Sequence, residues 1–292
     1  MKFRFYHVIL AVSIYTSFLS VAAAWNSAGH QIIAHIAYSE LTPTTRQRVD
    51  ELLEKFQPYF STSNNFIQAS SWADKLRDTD IMAFNHWHYI NKPYLQGKGF
   101  KVKSWEYQNI VWAIRQSERV LRSTKASSFD KAWFFRFYIH LIGDIHQPLH
   151  CIEWYSAQFP HGDLGGNRYL IQSSMGNNLH QIWDEGLGYF KGYRGKRDNE
   201  KIAAQIRAVY PREQLQSVMK RYTKPSGWAK ESYQLAVTFA YQILPNHTVT
   251  PQYLEQGKEI VARQLALAGY RLADLLNAIF DPPPEKYFEM SE

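Results

Sequence analysis

Apolar residues recur at three- and four-residue intervals over five long segments, a spacing that places them on one face of a helix. These segments are residues 44–56, behind a Thr42-Pro43 start, and residues 104–121, 129–144, 228–244 and 251–280. Runs that read as strands are few and short, at residues 87–90 and 168–172. The second follows His161-Gly-Asp163-Leu-Gly165-Gly-Asn167, whose glycines and short polar side chains mark a turn. The pattern predicts an all-α, mainly helical chain without internal repeats. Asp281 is followed by three prolines, which cannot continue a helix, so residues 281–292 are expected to form a flexible tail.

The first residues change where the folded chain begins. Lys2 and Arg4 precede an apolar stretch from Val8 to Val21, and Ala22-Ala23-Ala24 then supplies the small residues of a cleavage site. About 14 apolar residues, interrupted by Ser13, Tyr15, Thr16 and Ser17, fall short of the ~20 that a spanning helix needs. Residues 1–24 are therefore expected to be a removed signal peptide. That makes Trp25 the new N-terminus of a secreted or periplasmic chain with no membrane anchor, and residues 25–280 a single catalytic domain.

Of the 33 basic side chains, 31 then remain against 26 acidic ones, a surplus that suits a polyanionic substrate. Cys151 is the only cysteine, so no intramolecular disulfide is available. An exported chain of this kind fits a bacterial protein whose core and bound metals do the stabilising.

The candidate chemistry lies in histidines and aspartates at helical spacing. His140-Leu-Ile-Gly-Asp144 puts an imidazole and a carboxylate one turn apart on one helix face. Gln147-Pro148-Leu149-His150 breaks that helix and offers another imidazole, and the four-residue spacing returns in His180-Gln-Ile-Trp-Asp184. Nitrogen and carboxylate donors in this combination suit zinc. An ionisable pair beside Phe134-Phe135-Arg-Phe137-Tyr138 would be costly to bury without partners, although Asp144 could also serve only to orient His140. Trp25 and His30 add a freed α-amine, a backbone carbonyl and an imidazole, or else a hydrophobic plug and a residue at a helix start.

Six ordered motifs together resemble a known family. They are Trp25-xxxx-His30, Ser71-Trp-Ala-Asp74-xx-Arg77, Trp87-His88-Tyr89-Ile90-Asn91, His140-xxx-Asp144-xxQPL-His150, Gly165-Gly-Asn167 and Asn178-Leu-His180-xxx-Asp184. The family is the zinc-dependent single-strand-specific nucleases and 3′-nucleotidases of the mung bean nuclease type. The resemblance implies a fold shared with zinc-dependent phospholipase C and a cleft holding three Zn2+ ions. One ion would be held by Asp74, His88, His140 and Asp144, and a second by His150, His180 and Asp184. The third would take the amine and carbonyl of Trp25, His30 and the shared Asp144.

The implied reaction is in-line hydrolysis of phosphodiester bonds of single-stranded DNA and RNA, leaving 5′-phosphate products, together with hydrolysis of 3′-nucleotides. Asp74 and Asp144 would act at the metals and Arg77 would neutralise charge on the phosphoryl oxygens, unless it is a surface cation. Tyr89 would stack on a base, unless it is core, and Asn91 would meet the base edge. His86 competes with His88 as a ligand if the segment is extended. His35, His146 and His161 fall outside the matched positions and are expected in structural or ligand-orienting roles. Asp163 is expected to form the turn or to orient a ligand such as His150. Residues 188–197 interleave cations with aromatics and could grip a backbone or form a solvated loop. Two other functions stay open: a phospholipase C, against which Asp184 stands where that family uses Glu, and a noncatalytic zinc protein. No obligate protein partner is implied.

Overall fold

The computed structural model describes residues 25–60, 63–103, 106–190 and 198–282. Most of its helices begin at a side chain that accepts from the otherwise unpaired amides of the first turn. Asn26 caps α1 (Ser27–Ser39), Thr42 caps α2 (Pro43–Lys55) and Asn65 caps α3 (Phe66–Ala69), with α4 (Trp72–Asp78) following directly. Asn109 caps α5 (Ile110–Arg122), and Ser127 caps α6 (Ser128–Asp144) in a reciprocal pair with Asp130. Asn178 caps α7 (Leu179–Asp184) and Asp198 caps α8 (Asn199–Val209). Prolines set the start of α9 (Arg212–Arg221) and α10 (Pro225–Thr238), and Thr250 caps the long α11 (Pro251–Phe280).

Helix α6 is the axis of the molecule. Every residue from Phe135 to Asp144 is buried, on all sides of the helix, which is the signature of a helix enclosed by its neighbours. Helices α1, α4, α5 and α11 pack around it, and α11 also lies along α1. The buried apolar residues from Trp25 to Leu276 form one continuous cluster. Two short strands, β1 (Pro93–Leu95) and β2 (Glu153–Tyr155), pair in parallel with Pro93 opposite Glu153. No described helix is long and apolar enough to cross a membrane.

The mainly helical class agrees with the sequence reading, and so do three of the five long segments to within one residue. The remainder need correction. Residues 87–90 are not a strand: Asn85–His88 is a 3-10 turn and Tyr89 is the extended residue that ends it. Residues 168–172 form only isolated bridges, from Leu170 to Asn178 and from Gln172 to Thr248. The helix expected from residue 104 starts at Ile110, because the Asn109 side chain accepts from the amides of Val111 and Trp112 and fixes the start there. The helix expected over 228–244 starts earlier, with Pro225 in its first turn, and ends at Thr238 before a separate 3-10 turn at Ala240–Gln242. The expected signal peptide, and residues 283–292 of the expected tail, lie outside the described residues.

Candidate metal centre

Six pieces of chain deliver the imidazoles and carboxylates to one region. Helix α6 carries His140 and Asp144 on one face, and α4 carries Asp74. The 3-10 turn at Asn85–His88 presents His88, and a second at Pro148–Cys151 presents His150. Helix α7 contributes His180 and Asp184 one turn apart, and α1 contributes His30. Helix α1 can approach α6 this closely because α6 has Gly143 at the crossing. A Cβ there would lie 2.7 Å from His30 Nδ1.

Three groups of donors result: Asp74, His88 and His140; His30, His140 and Asp144; and His150, His180 and Asp184. The fully buried Asp144 faces two of them. Its Oδ1 is 3.1 Å from His30 Nε2, while its Oδ2 is 2.9 Å from His88 Nδ1 and 3.2 Å from His140 Nε2. Asp74 Oδ1 stands 3.5 Å from His140 Nε2 and 3.8 Å from His88 Nδ1. In the third group His150 Nε2 and His180 Nε2 are 3.3 Å apart, with Asp184 Oδ2 3.4 Å from His180 Nε2.

Backbone carbonyls orient the rings. His140 Nδ1–H donates to Ser70 O at 2.8 Å, His150 Nδ1–H to His88 O at 2.7 Å and His180 Nδ1–H to Gly165 O at 2.6 Å. Each of these bonds turns Nε2 toward the shared space, as ligating histidines require. The ionisation states point the same way. Burial lowers the His140 imidazole, but Asp144 and Asp74 outweigh it and bring it to about 10. Burial pushes His30 and His88 down, keeping them neutral. Burial would raise the Asp144 carboxyl, yet the charge of His140 and contacts from the three imidazoles hold it well below the usual carboxylate range. Asp74, Asp144 and His140 together thus leave a negative balance that attracts a cation. His30 Nε2 and Asp144 Oδ1, both buried, face each other at 3.1 Å and meet no other hydrogen-bond partner, an arrangement that a cation between or beside them would satisfy. The donor set, nitrogen and carboxylate only, fits zinc.

The remaining expected residues fall as follows. Trp25 is fully buried, and its indole Nε1–H donates to Gly143 O at 3.1 Å. The next amide, Asn26 N–H, donates to Asp184 O at 2.9 Å. Residue 25 is thereby fixed between α6 and α7. His86 is exposed and contacts the Tyr89 hydroxyl at 3.0 Å, while His88 is buried in the cluster. The 3-10 turn separates the two rings, which an extended segment would have put on one side.

Half-buried Tyr89 and Asn91 line a cavity of about 280 Å³ with His161 and Arg168, so Tyr89 is not core and His161 faces open space. A larger cavity, about 780 Å³, opens at His35 and Tyr38 and contains none of the clustered donors. His146 is buried against Arg271 and plays a structural part. Arg77 sits on α4 one turn after Asp74, but its side chain lies outside the described residues, as do residues 191–197 of the candidate cationic segment.

Asp163 forms the turn, one of the two roles the sequence allowed it, and through that turn bears on His180, where the other role pointed to a ligand such as His150. Its Oδ1 accepts from Trp154 N at 2.8 Å, and its Oδ2 accepts from Gly166 N at 2.9 Å and Tyr241 Oη at 2.6 Å. The turn it pins, with Gly165 and Gly166 at φ of 60° and 87°, presents the carbonyl that holds His180. Sequence reasoning missed Gln147, whose Nε2 donates to Asp184 Oδ1 at 2.7 Å. Its place in the QPL motif was visible, but its partner 37 residues away was not.

The fold and the site define a helical protein built around adjoining His/Asp groups able to hold metal. Comparison with known proteins makes the class specific. A family described as S1/P1 Nuclease matches residues 25–281, and the chain belongs to that family. It is similar to Endonuclease 2 of Arabidopsis thaliana, at 29% identity over 94% of this chain and 97% of the relative. It is also similar to Nuclease P1 of Penicillium citrinum, at 24% identity over 87% and 97% of the two chains. Nuclease S1 of Aspergillus oryzae is 23% identical over 89% and 93%. The chain is a hydrolase of phosphodiester bonds in nucleic acids, which decides against the phospholipase and noncatalytic readings.

Proposed function

We propose that this chain is an exported endonuclease that holds three zinc ions, cleaves single-stranded DNA and RNA to 5′-phosphate products, and removes the phosphate of 3′-nucleotides. The observation that carries the proposal is Asp144, a buried carboxylate with one oxygen turned to His30 and the other to His88 and His140. One such group can serve two adjacent cations. Asp74, His88, His140 and Asp144 form the first proposed ligand set, and His150, His180 and Asp184 the second. The third joins His30 and Asp144 to the amine and carbonyl of Trp25. The family match begins at Trp25, the residue that cleavage after Ala24 would free, which supports the signal-peptide reading and a catalytic domain over 25–280.

Bound zinc would supply positive charge to polarise a phosphoryl oxygen and lower the pKa of water toward about 7. The residues of the chain provide the rest. Ser70, His88 and Gly165 carbonyls and the Gln147 amide fix the imidazoles and Asp184, so the ligands do not reorganise during reaction. Arg77, one turn from Asp74, is assigned to charge developing on the phosphate. Tyr89 is assigned as the platform on which an unpaired base stacks, with Asn91 at the base edge, and that requirement disfavours paired strands.

The test compares the mature chain on a single-stranded oligonucleotide, its duplex and 3′-AMP, before and after dialysis against a chelator. The expected result is rapid cleavage of the single strand and of 3′-AMP, slow cleavage of the duplex, and loss of all three on chelation, restored by zinc. Equal rates on single strand and duplex, or activity that survives chelation, would contradict the proposal.

A further inference from the structure

The cavity beside Tyr89 and Asn91 contains a buried acid to which the hydrolytic chemistry gives no part. Glu153 is 5% exposed and lines that cavity. It reaches the cavity because its amide donates to Lys92 O at 2.9 Å, which runs β2 alongside the segment that carries Asn91. The Tyr155 hydroxyl donates to Glu153 Oε2 at 3.0 Å, and Gly162, with no side chain, lies directly against Oε1. An ionised carboxylate has about four lone-pair sites and no donor. The Tyr155 hydroxyl and the Leu164 backbone amide take two of these, which leaves lone pairs on the carboxylate to accept. Lys103 and Arg168 line the same cavity and supply donors at its rim.

We infer that Glu153 is a specificity-determining residue that selects guanine as the base held in this cavity, an inference that rests on the proposed stacking of an unpaired base on Tyr89. Guanine is the one common base whose pairing edge offers two adjacent donors, N1–H and N2–H, followed by an acceptor, O6. The donors match the two oxygens of Glu153, and O6 matches the cationic rim. Adenine and cytosine would turn a ring-nitrogen lone pair toward the carboxylate. Uracil and thymine have a single donor flanked by two acceptors. A bidentate match of this kind discriminates between bases by roughly tenfold to a hundredfold.

The experiment is cleavage of a single-stranded oligonucleotide pool of randomised sequence by the zinc-loaded protein, followed by sequencing of the product ends. Glu153→Gln and Glu153→Asp are run beside the parent, with melting temperature and zinc content measured for each. Guanine should be enriched roughly tenfold or more at one position beside the cut in the parent. That enrichment should disappear in Glu153→Gln, which presents a donor in place of one acceptor, while zinc content stays unchanged. Glu153→Asp, with the carboxylate withdrawn, should retain a reduced guanine preference. Efficient cleavage by the parent without guanine enrichment would overturn the inference and leave the nuclease reading intact, as would enrichment that survives in Glu153→Gln. A parent that cleaves no single strand would overturn both.

Discussion

Replacing Asp163 with Asn tests whether the turn at residues 161–167 sets the metal affinity of a histidine it does not contain. The carboxylate accepts three hydrogen bonds, from Trp154 N, Gly166 N and the Tyr241 hydroxyl, all between 2.6 and 2.9 Å. An amide of the same shape has only one oxygen. If that oxygen faces Trp154 N, its NH2 opposes the Gly166 N–H, and if it faces Gly166 the clash moves to Trp154. Either way one buried backbone donor goes unpaired, at a cost of about 1–3 kcal/mol. At roughly 2–4 °C per kcal/mol for a domain somewhat smaller than this one, the metal-free variant should melt several degrees below the parent. The larger consequence is local. With the turn loosened, Gly165 O no longer fixes the Nδ1–H of His180, a bond of 2.6 Å in the parent. Loss of such an orienting partner weakens metal binding by roughly 10–100-fold. Titration with a graded series of chelators should show one zinc leaving Asp163→Asn at that much lower chelator strength while the others hold. An unchanged melting temperature together with an unchanged release profile would refute the role given to Asp163.

Gly143→Ala should place a methyl group 2.7 Å from His30 Nδ1, forcing the ring away from Asp144. The expected cost is about 1–3 kcal/mol of stability and the loss of one zinc, read by thermal melting and elemental analysis. Retaining Ala24 ahead of Trp25 should leave a folded chain that lacks the zinc assigned to Trp25 and His30 and most of the activity; a fully zinc-loaded, fully active extended chain would contradict that assignment. Zinc binding at pH 8 should expel a proton from His140, because its two carboxylate neighbours outweigh burial and hold it to about 10 in the metal-free chain. The sign follows from linkage. The stability that protonated His140 gives the metal-free fold is complete below its ordinary value of 6.5 and is lost as pH rises through about 10, so zinc affinity should climb with pH over that range. Calorimetry in buffers of different ionisation enthalpy counts the protons released, and a count of zero would reject this account.

The parts of the site legible in the sequence are those that depend on neighbouring positions. His140 with Asp144, and His180 with Asp184, are four residues apart on helices, so the helical period alone puts each pair on one face. The meeting of Asp74 and His88 with α6 joins residues more than fifty apart, and only family resemblance indicated it. The carbonyls of Ser70, His88 and Gly165 were invisible for a simpler reason: a backbone acceptor has no side-chain signature. Helix α1 also escaped periodicity, because its core face of Ile32, Ile33, Ile36 and the alanines is interrupted by His30. The aromatic residues around Trp87 read as a strand, yet Trp87 is buried through contacts with Phe84, Trp112 and Phe137, a packing that a 3-10 turn serves as well as a strand. The β1–β2 pair joins segments about sixty residues apart, and neither has a length or an alternation that would distinguish it from loop.

The central claim is that the three adjoining His/Asp groups, two of them sharing Asp144, each hold a zinc and act as one centre on single-stranded nucleic acid. The direct measurement is stepwise zinc reconstitution of the metal-free mature chain, with bound zinc and the rate on a single-stranded oligonucleotide determined at each step. The account predicts saturation at three zinc ions per chain, with the full rate reached only as the last is bound, and saturation at two in Asp144→Ala or fewer with little activity. A parent chain that reaches its full rate with one zinc, or an Asp144→Ala chain that binds three and remains active, would contradict it.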